Sequence, residues 1–141
     1  METNGPFLQA ALICERVLVE QDGVLSLIRV IDRLIRHADA GEPEELAPFT
    51  QPIHVVLLMK SGAARGRFEV TVGVEKPSGE LGDAIAVPVH FEGEDRGVQV
   101  ILPMSFAADQ EGLYWFDVGF EGRRLTRMPL RVVYQPHARS L

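Results

Sequence analysis

The chain has 141 residues, of which 46% are apolar, and a formal net charge of −6. This size fits a single domain over residues 1–141 with its own core. The acidic balance argues against nucleic acid as a partner, because phosphate binding needs concentrated Lys and Arg. The apolar runs are shorter than the roughly 20 residues of a membrane span, and the start lacks a secretory pattern. We therefore expect a cytoplasmic protein with no membrane partner.

The first predicted elements are two strands joined by a turn. Residues 11–20 and 24–34 are rich in apolar side chains and flank Asp22-Gly23, which is a strong hairpin signal. The second run also fits the three-and-four spacing of a helix, with Asp22 as its cap. The β-branched content and the turn favour strands, the second of which ends near Asp32.

A long connection follows at residues 36–52, where three prolines and several acids interrupt any periodic pattern. Connections of this length in a compact domain are often functional. One hypothesis is that the segment builds a pocket at one end of the fold. The alternative is a plain crossover between two sheets.

The middle of the chain shows period-two alternation typical of strands. The predicted strands are residues 53–60, 67–75, 84–91 and 98–106. The first of them is apolar on both faces, as expected at a sheet centre. Glycine-containing segments separate the strands and are interpreted as turns, at residues 61–66, 76–79 and 93–97.

The clearest pattern lies in residues 112–134. Every second residue from 114 to 120 and from 128 to 134 is apolar, so we predict a hairpin with one core face.

The loop of this hairpin can be chosen by register. A two-residue loop at Glu121-Gly122 would put the two apolar stripes out of phase. A three-residue loop, residues 120–122 with a left-handed bulge at Gly122, keeps them on one face. This register places Trp115 opposite Arg127 on the outer face, where the guanidinium could stack on the ring.

These elements predict an all-β chain of seven or eight strands. We expect a two-sheet antiparallel β-sandwich of the immunoglobulin-like type. Residues 135–141 include Pro136 and are mostly polar, so they are expected to leave the sheet as a frayed tail.

Several of these segments resemble an uncharacterised bacterial family of small β-sandwich domains. They are Leu12-Ile13-Cys14-Glu15-Arg16-Val17, Asp22-Gly23-Val24-Leu25-Ser26-Leu27, Lys76-Pro77-Ser78-Gly79, Gly112-Leu113-Tyr114 and Met128-Pro129-Leu130-Arg131-Val132. The similarity spans nearly the whole chain, and its motifs are turns and core positions. One departure is Arg29-Val30-Ile31, where the family has a glycine-containing segment. The resemblance implies a β-sandwich and no particular functional residue, since the family has no assigned activity.

The sequence contains no Gly-x-Ser-x-Gly elbow, no P-loop lysine and no ligand-spaced His or Cys pair. We therefore expect no catalytic residue, no metal and no cofactor. His54 and His90 fall on outward strand positions and would be neighbours if their strands paired. Cys14, the only cysteine, has apolar neighbours in sequence, which favours a buried, unreactive thiol.

The candidate binding residues are Trp115, Arg127 and Arg131, because outward aromatic and arginine side chains are typical interface anchors. We hypothesise a module that acts through protein contacts, with a protein partner or a second copy. Alternatively, residues 36–52 cover the Trp115 face. A further alternative is a small-molecule-binding domain or enzyme that uses the pocket built by that segment.

Overall fold

A computed structural model describes residues 4–136 of the chain. Its seven strands are β1 (Phe7–Val19), β2 (Leu25–Val30), β3 (Arg33–His37), β4 (Phe49–Glu75), β5 (Ile85–Ala108), β6 (Gly112–Phe120) and β7 (Arg123–Gln135). The all-β prediction is confirmed. No helix able to cross a membrane is found in residues 4–136. The predicted tail, residues 135–141, is wrong at Gln135, because this residue closes β7. Residues 137–141 of that tail lie outside the described residues.

The strands form a single curled sheet in the order β2-β1-β4-β6-β7-β3, with β5 paired to β4. All pairs are antiparallel except β3 and β7, which run parallel. The strands at the two ends of this order, β2 and β3, are consecutive in the chain, and only a short segment joins them. The two edges of the sheet are therefore drawn toward each other, and the sheet curls into a half-barrel. The two separate antiparallel sheets of an immunoglobulin-like sandwich are not confirmed.

The long strands β4 and β5 pair along most of their lengths. Residues 61–66 and 93–97, predicted as turns, therefore lie inside strands, and this prediction is wrong. Gly62 (φ 59°) and Gly93 (φ 93°) have left-handed backbones, and the ladder shifts register beside Gly62. Glycine at a bulge bends a strand without reversing it, so the chain turns a corner here and continues.

The other edge of β4 is shared by β1 along its first half and by β6 along its second half. This position places the first half of β4 at the sheet centre. Val55 and Val56 point to opposite faces, yet both are at most 1% exposed. The predicted burial of residues 53–60 on both faces is confirmed for these residues.

The predicted N-terminal hairpin is also confirmed, since β1 and β2 are strands that pair across the Asp22-Gly23 turn. The second strand breaks after Val30, close to its predicted end. There the Ile31 amide donates to the Ile13 carbonyl of β1 (2.8 Å), while the Asp32 carbonyl accepts from the Arg131 amide of β7 (3.0 Å). The crossing segment, residues 30–32, thus passes from β1 to β7 and narrows the open side of the half-barrel.

The predicted connection at residues 36–52 is shorter in the structure, where residues 38–48 link β3 to β4. It packs onto the fold: the Tyr134 hydroxyl donates to the Pro43 carbonyl (2.5 Å), Ala38 is buried and Leu46 contacts the core. The segment is therefore held against the fold by these residues.

Candidate binding face

The C-terminal hairpin carries the candidate residues, and its loop differs from the prediction. Glu121 (φ 52°) and Gly122 (φ 75°) form a two-residue loop, so the three-residue loop is wrong. The register shifts by one residue just after Val118, which places one extra residue in β7. This shift restores the phase, and Phe116 and Leu130 on the shared core face are fully buried. The predicted core face is confirmed.

The shift moves Trp115 opposite Pro129, while Arg127 lies opposite Asp117. The predicted direct pairing of Trp115 with Arg127 is therefore wrong by two residues. The predicted stack is nevertheless present, since Cζ of Arg127 lies 4.3 Å from the centroid of the Trp115 ring. Diagonal neighbours on one sheet face are within reach of a long side chain. Both side chains are half-buried rather than exposed.

Two carboxylates orient Arg127 over the ring. Its Nε lies 3.2 Å from Asp117 Oδ1, and its Nη2 lies 3.5 Å from Glu75 Oε1. Asp117 Oδ1 also lies 3.0 Å from Arg124 Nε. Neither the Arg127 Nε nor the Asp117 Oδ1 has a well-aligned hydrogen bond within the described chain, so charge attraction is the main interaction. The two carboxylates therefore hold the Arg127 guanidinium in position over the Trp115 ring.

Apolar side chains extend this site across three strands. Leu113 and Val133 are half-buried, and Ile35 is 45% exposed. Val133 lies beside Ile35 of β3, and Leu113 lies beside Arg131. We call the surface the outer β7 face and define it by residues Ile35, Leu113, Trp115, Pro129 and Val133 with Arg33, Arg127 and Arg131.

Arg131 is exposed and lies directly beside Arg33 in the parallel β3–β7 ladder. Like charges in register on one face repel each other. Within residues 4–136, neither guanidinium has a carboxylate partner. The outer β7 face therefore contains a pair of positive charges that no carboxylate within residues 4–136 compensates. Sequence analysis identified Arg131 and missed Arg33, since no local pattern indicates a parallel pairing between them.

The two histidines considered as a pair are separated in the sheet, and the cysteine is buried. His54 lies opposite Pro103 and His90 opposite Arg67, so the two histidines are not neighbours. No group of three or more His, Cys, Asp or Glu within residues 4–136 is placed to hold a metal ion. The predicted burial of Cys14 is confirmed, and burial raises the pKa of its thiol. A protonated, enclosed thiol is a poor nucleophile.

A polar cluster that sequence analysis missed fixes the entry to β6. The buried Tyr114 hydroxyl accepts from the amides of Asp109 and Gln110 (both 3.1 Å) and donates to Asp109 Oδ1 (3.2 Å). Lys76 Nζ lies 2.8 Å from Asp109 Oδ2. The hydrogen bond from Lys76 lowers the pKa of Asp109, and burial raises the pKa of Tyr114. These contacts tie two turns together and hold β6 in position.

No protein-family model matches the sequence, and no curated protein matches it. Among solved structures, the chain is similar to a beta-glucosidase from Listeria innocua, with a TM-score of 0.48 and 14% identity. The similarity covers 76% of this chain and 15% of that chain, so this chain spans a small part of that protein's length. No activity or residue role is transferred from it.

Proposed function

We propose that this chain is a non-catalytic binding module that acts through protein contacts at the outer β7 face. A second copy of the chain is the partner to test first. The observation that supports this most is the stack of Arg127 on Trp115, set in an apolar row that ends at the exposed Ile35. Tryptophan and arginine are the side chains most enriched at interface hot spots.

The stack is already ordered in the single chain. Arg127 is held between Glu75 and Asp117, so its guanidinium does not lose further freedom on association. Immobilising a flexible side chain at an interface costs about 0.5–1.5 kcal/mol. Because Arg127 is already ordered, association at this face has a lower entropy cost than it would with a mobile arginine.

Charge supports a second copy as partner. The chain carries a net charge of −6, yet the outer β7 face carries Arg33 and Arg131, which have no carboxylate partner within residues 4–136. Exposed acids lie elsewhere, on β5, including Glu92, Glu94 and Asp95. Two copies can therefore place opposite charges against each other, which steers association and suppresses wrong partners.

The experiment is light scattering over a concentration series, with a surface-matched control. We compare the wild type with the double variant Trp115→Ala/Arg127→Ala. The control is Leu81→Ala/Arg67→Ala, which removes another exposed apolar and arginine pair. The wild type and the control should self-associate, and the Trp115/Arg127 variant should remain monomeric. Association that survives the loss of Trp115 and Arg127 would contradict the assignment of this face.

The alternative of a small-molecule pocket at residues 36–52 has less support, because Leu46 packs against the core and Tyr134 holds Pro43 by a hydrogen bond, so the segment lies against the fold. We also propose a cytoplasmic location, since a free buried thiol such as Cys14 suits a reducing compartment. Nucleic acid is not proposed as a partner, because the net charge is −6.

A further inference from the structure

We infer that a cleft beside the outer β7 face binds an extended acidic segment of a partner protein. The segment pairs its backbone with the open edge of β7 and places a carboxylate on Arg33 and Arg131. This inference rests on the proposed function and adds the chemistry of the partner.

The cleft has a volume of about 460 Å³. Its walls are residues 11–13 of β1, the crossing segment 30–32, and residues 126–129 of β7. One edge of β7 is paired with β6, but on its other edge only residues 131–135 pair, with β3. The cleft is thus bounded by a strand edge that lacks a neighbour within the described chain.

The backbone of β7 points into this cleft. The Arg131 amide donates to the Asp32 carbonyl, so the main-chain groups of Arg131 face the β3 side. Alternate residues of a strand direct these groups the same way. Arg127 and Pro129 therefore present two carbonyls and one amide to the cleft, since proline has no N–H.

On the opposite side of the cleft, β1 also directs main-chain groups toward the cleft. The Ile13 carbonyl accepts from the Ile31 amide, so Ile13 faces the crossing segment. By the same alternation, Ala11 directs its amide and carbonyl to that side. In the described chain Ala11 pairs with β4 and with no strand on this side. An extended peptide satisfies an edge of this kind, here that of β7, by strand addition, in which main-chain hydrogen bonds supply affinity.

Two arginines at one end of the cleft favour a negatively charged group on the bound segment. Arg33 follows the lining residue Asp32, and Arg131 lies two residues beyond Pro129. A carboxylate between these two guanidiniums relieves their repulsion and accepts charge-assisted hydrogen bonds. Beyond this pair the edge of β7 is already occupied by β3. The preferred segment therefore carries an acidic residue near the end that meets Arg33 and Arg131.

The test uses a fluorescein-labelled peptide, Val-Glu-Val-Thr-Val, titrated with the full chain and followed by anisotropy. Replacing its glutamate by glutamine should weaken binding about tenfold. The variant Arg33→Gln/Arg131→Gln should lose about the same factor for the glutamate peptide and nothing for the glutamine peptide. The control Arg67→Gln should bind like the wild type.

Each part of the inference has its own failure. Absence of saturable binding overturns it entirely, while self-association measured by light scattering still decides the proposed function separately. Equal affinity for the two peptides, or an unchanged affinity in Arg33→Gln/Arg131→Gln, overturns the acidic preference. A peptide N-methylated at alternate amides that binds as well as the unmodified one overturns strand pairing.

Discussion

The stack of Arg127 on Trp115 can be measured as a coupling free energy. In a double-mutant cycle, Trp115→Leu and Arg127→Gln are made singly and together. A cation over an aromatic ring contributes about 0.5–1 kcal/mol when exposed and about 2 kcal/mol when desolvated. The 4.3 Å contact is half-buried, so we expect a coupling of about 1 kcal/mol.

The cycle separates the stack from the ion pairs. Arg127→Gln also removes the contacts with Glu75 and Asp117, and partly exposed pairs contribute about 0.2–1 kcal/mol each. These losses occur whether or not Trp115 is present, so they cancel in the coupling term. The single Arg127→Gln variant should therefore lose more stability than the coupling alone.

The assay is urea unfolding followed by far-UV circular dichroism, because Trp115 is the only tryptophan and its fluorescence is lost in two of the four proteins. A cycle at Leu81 and Arg67 is the control and should give no coupling. A Trp115–Arg127 coupling within about 0.3 kcal/mol of zero would refute the stack. Loss of the cooperative transition in the double variant would show that these residues belong to the core.

Three further predictions concern stability. Phe116→Ala removes a fully buried ring and should cost about 3–5 kcal/mol in urea unfolding; a near-neutral result would contradict the core face. The pKa of Asp109 is lowered in the folded state by Lys76, so its contribution is present above the unfolded pKa and lost as pH falls through the folded pKa. Asp109→Asn should therefore flatten the acid limb of a thermal-stability profile, and an unchanged limb would exclude the pair. Gly62→Ala should lower the thermal stability of the chain more than Gly122→Ala. Both glycines have positive φ, but of the two only Gly62 has backbone atoms where a Cβ would lie. Equal losses of stability would contradict the tight contact at the strand bend.

The buried faces of the strands were predictable because alternation is a local property. Phe116 and Leu130 are buried as their period-two spacing requires, although the predicted loop between them was wrong. The Trp115–Arg127 contact was also predictable despite the register error, since the long arginine side chain spans the difference.

The bends of β4 at Gly62 and of β5 at Gly93 were not predictable from local alternation. A left-handed glycine serves a tight turn and a strand bulge equally well, so Gly62 and Gly93 do not distinguish a reversal from a bend. The distinction depends on β4 and β5 pairing on both sides of the bend. The position of Arg33 beside Arg131 likewise depends on a parallel pairing distant in sequence, which is why Arg33 was missed.

The central claim is that the outer β7 face is a protein-contact surface, and the solution mass of the wild-type chain tests it most directly. Light scattering over a wide concentration series should show a mass that rises from the 15.6 kDa monomer toward a dimer. The rise should be weaker at high salt, because Arg33 and Arg131 contribute through charge. A constant 15.6 kDa at every concentration and salt would contradict association between copies at this face.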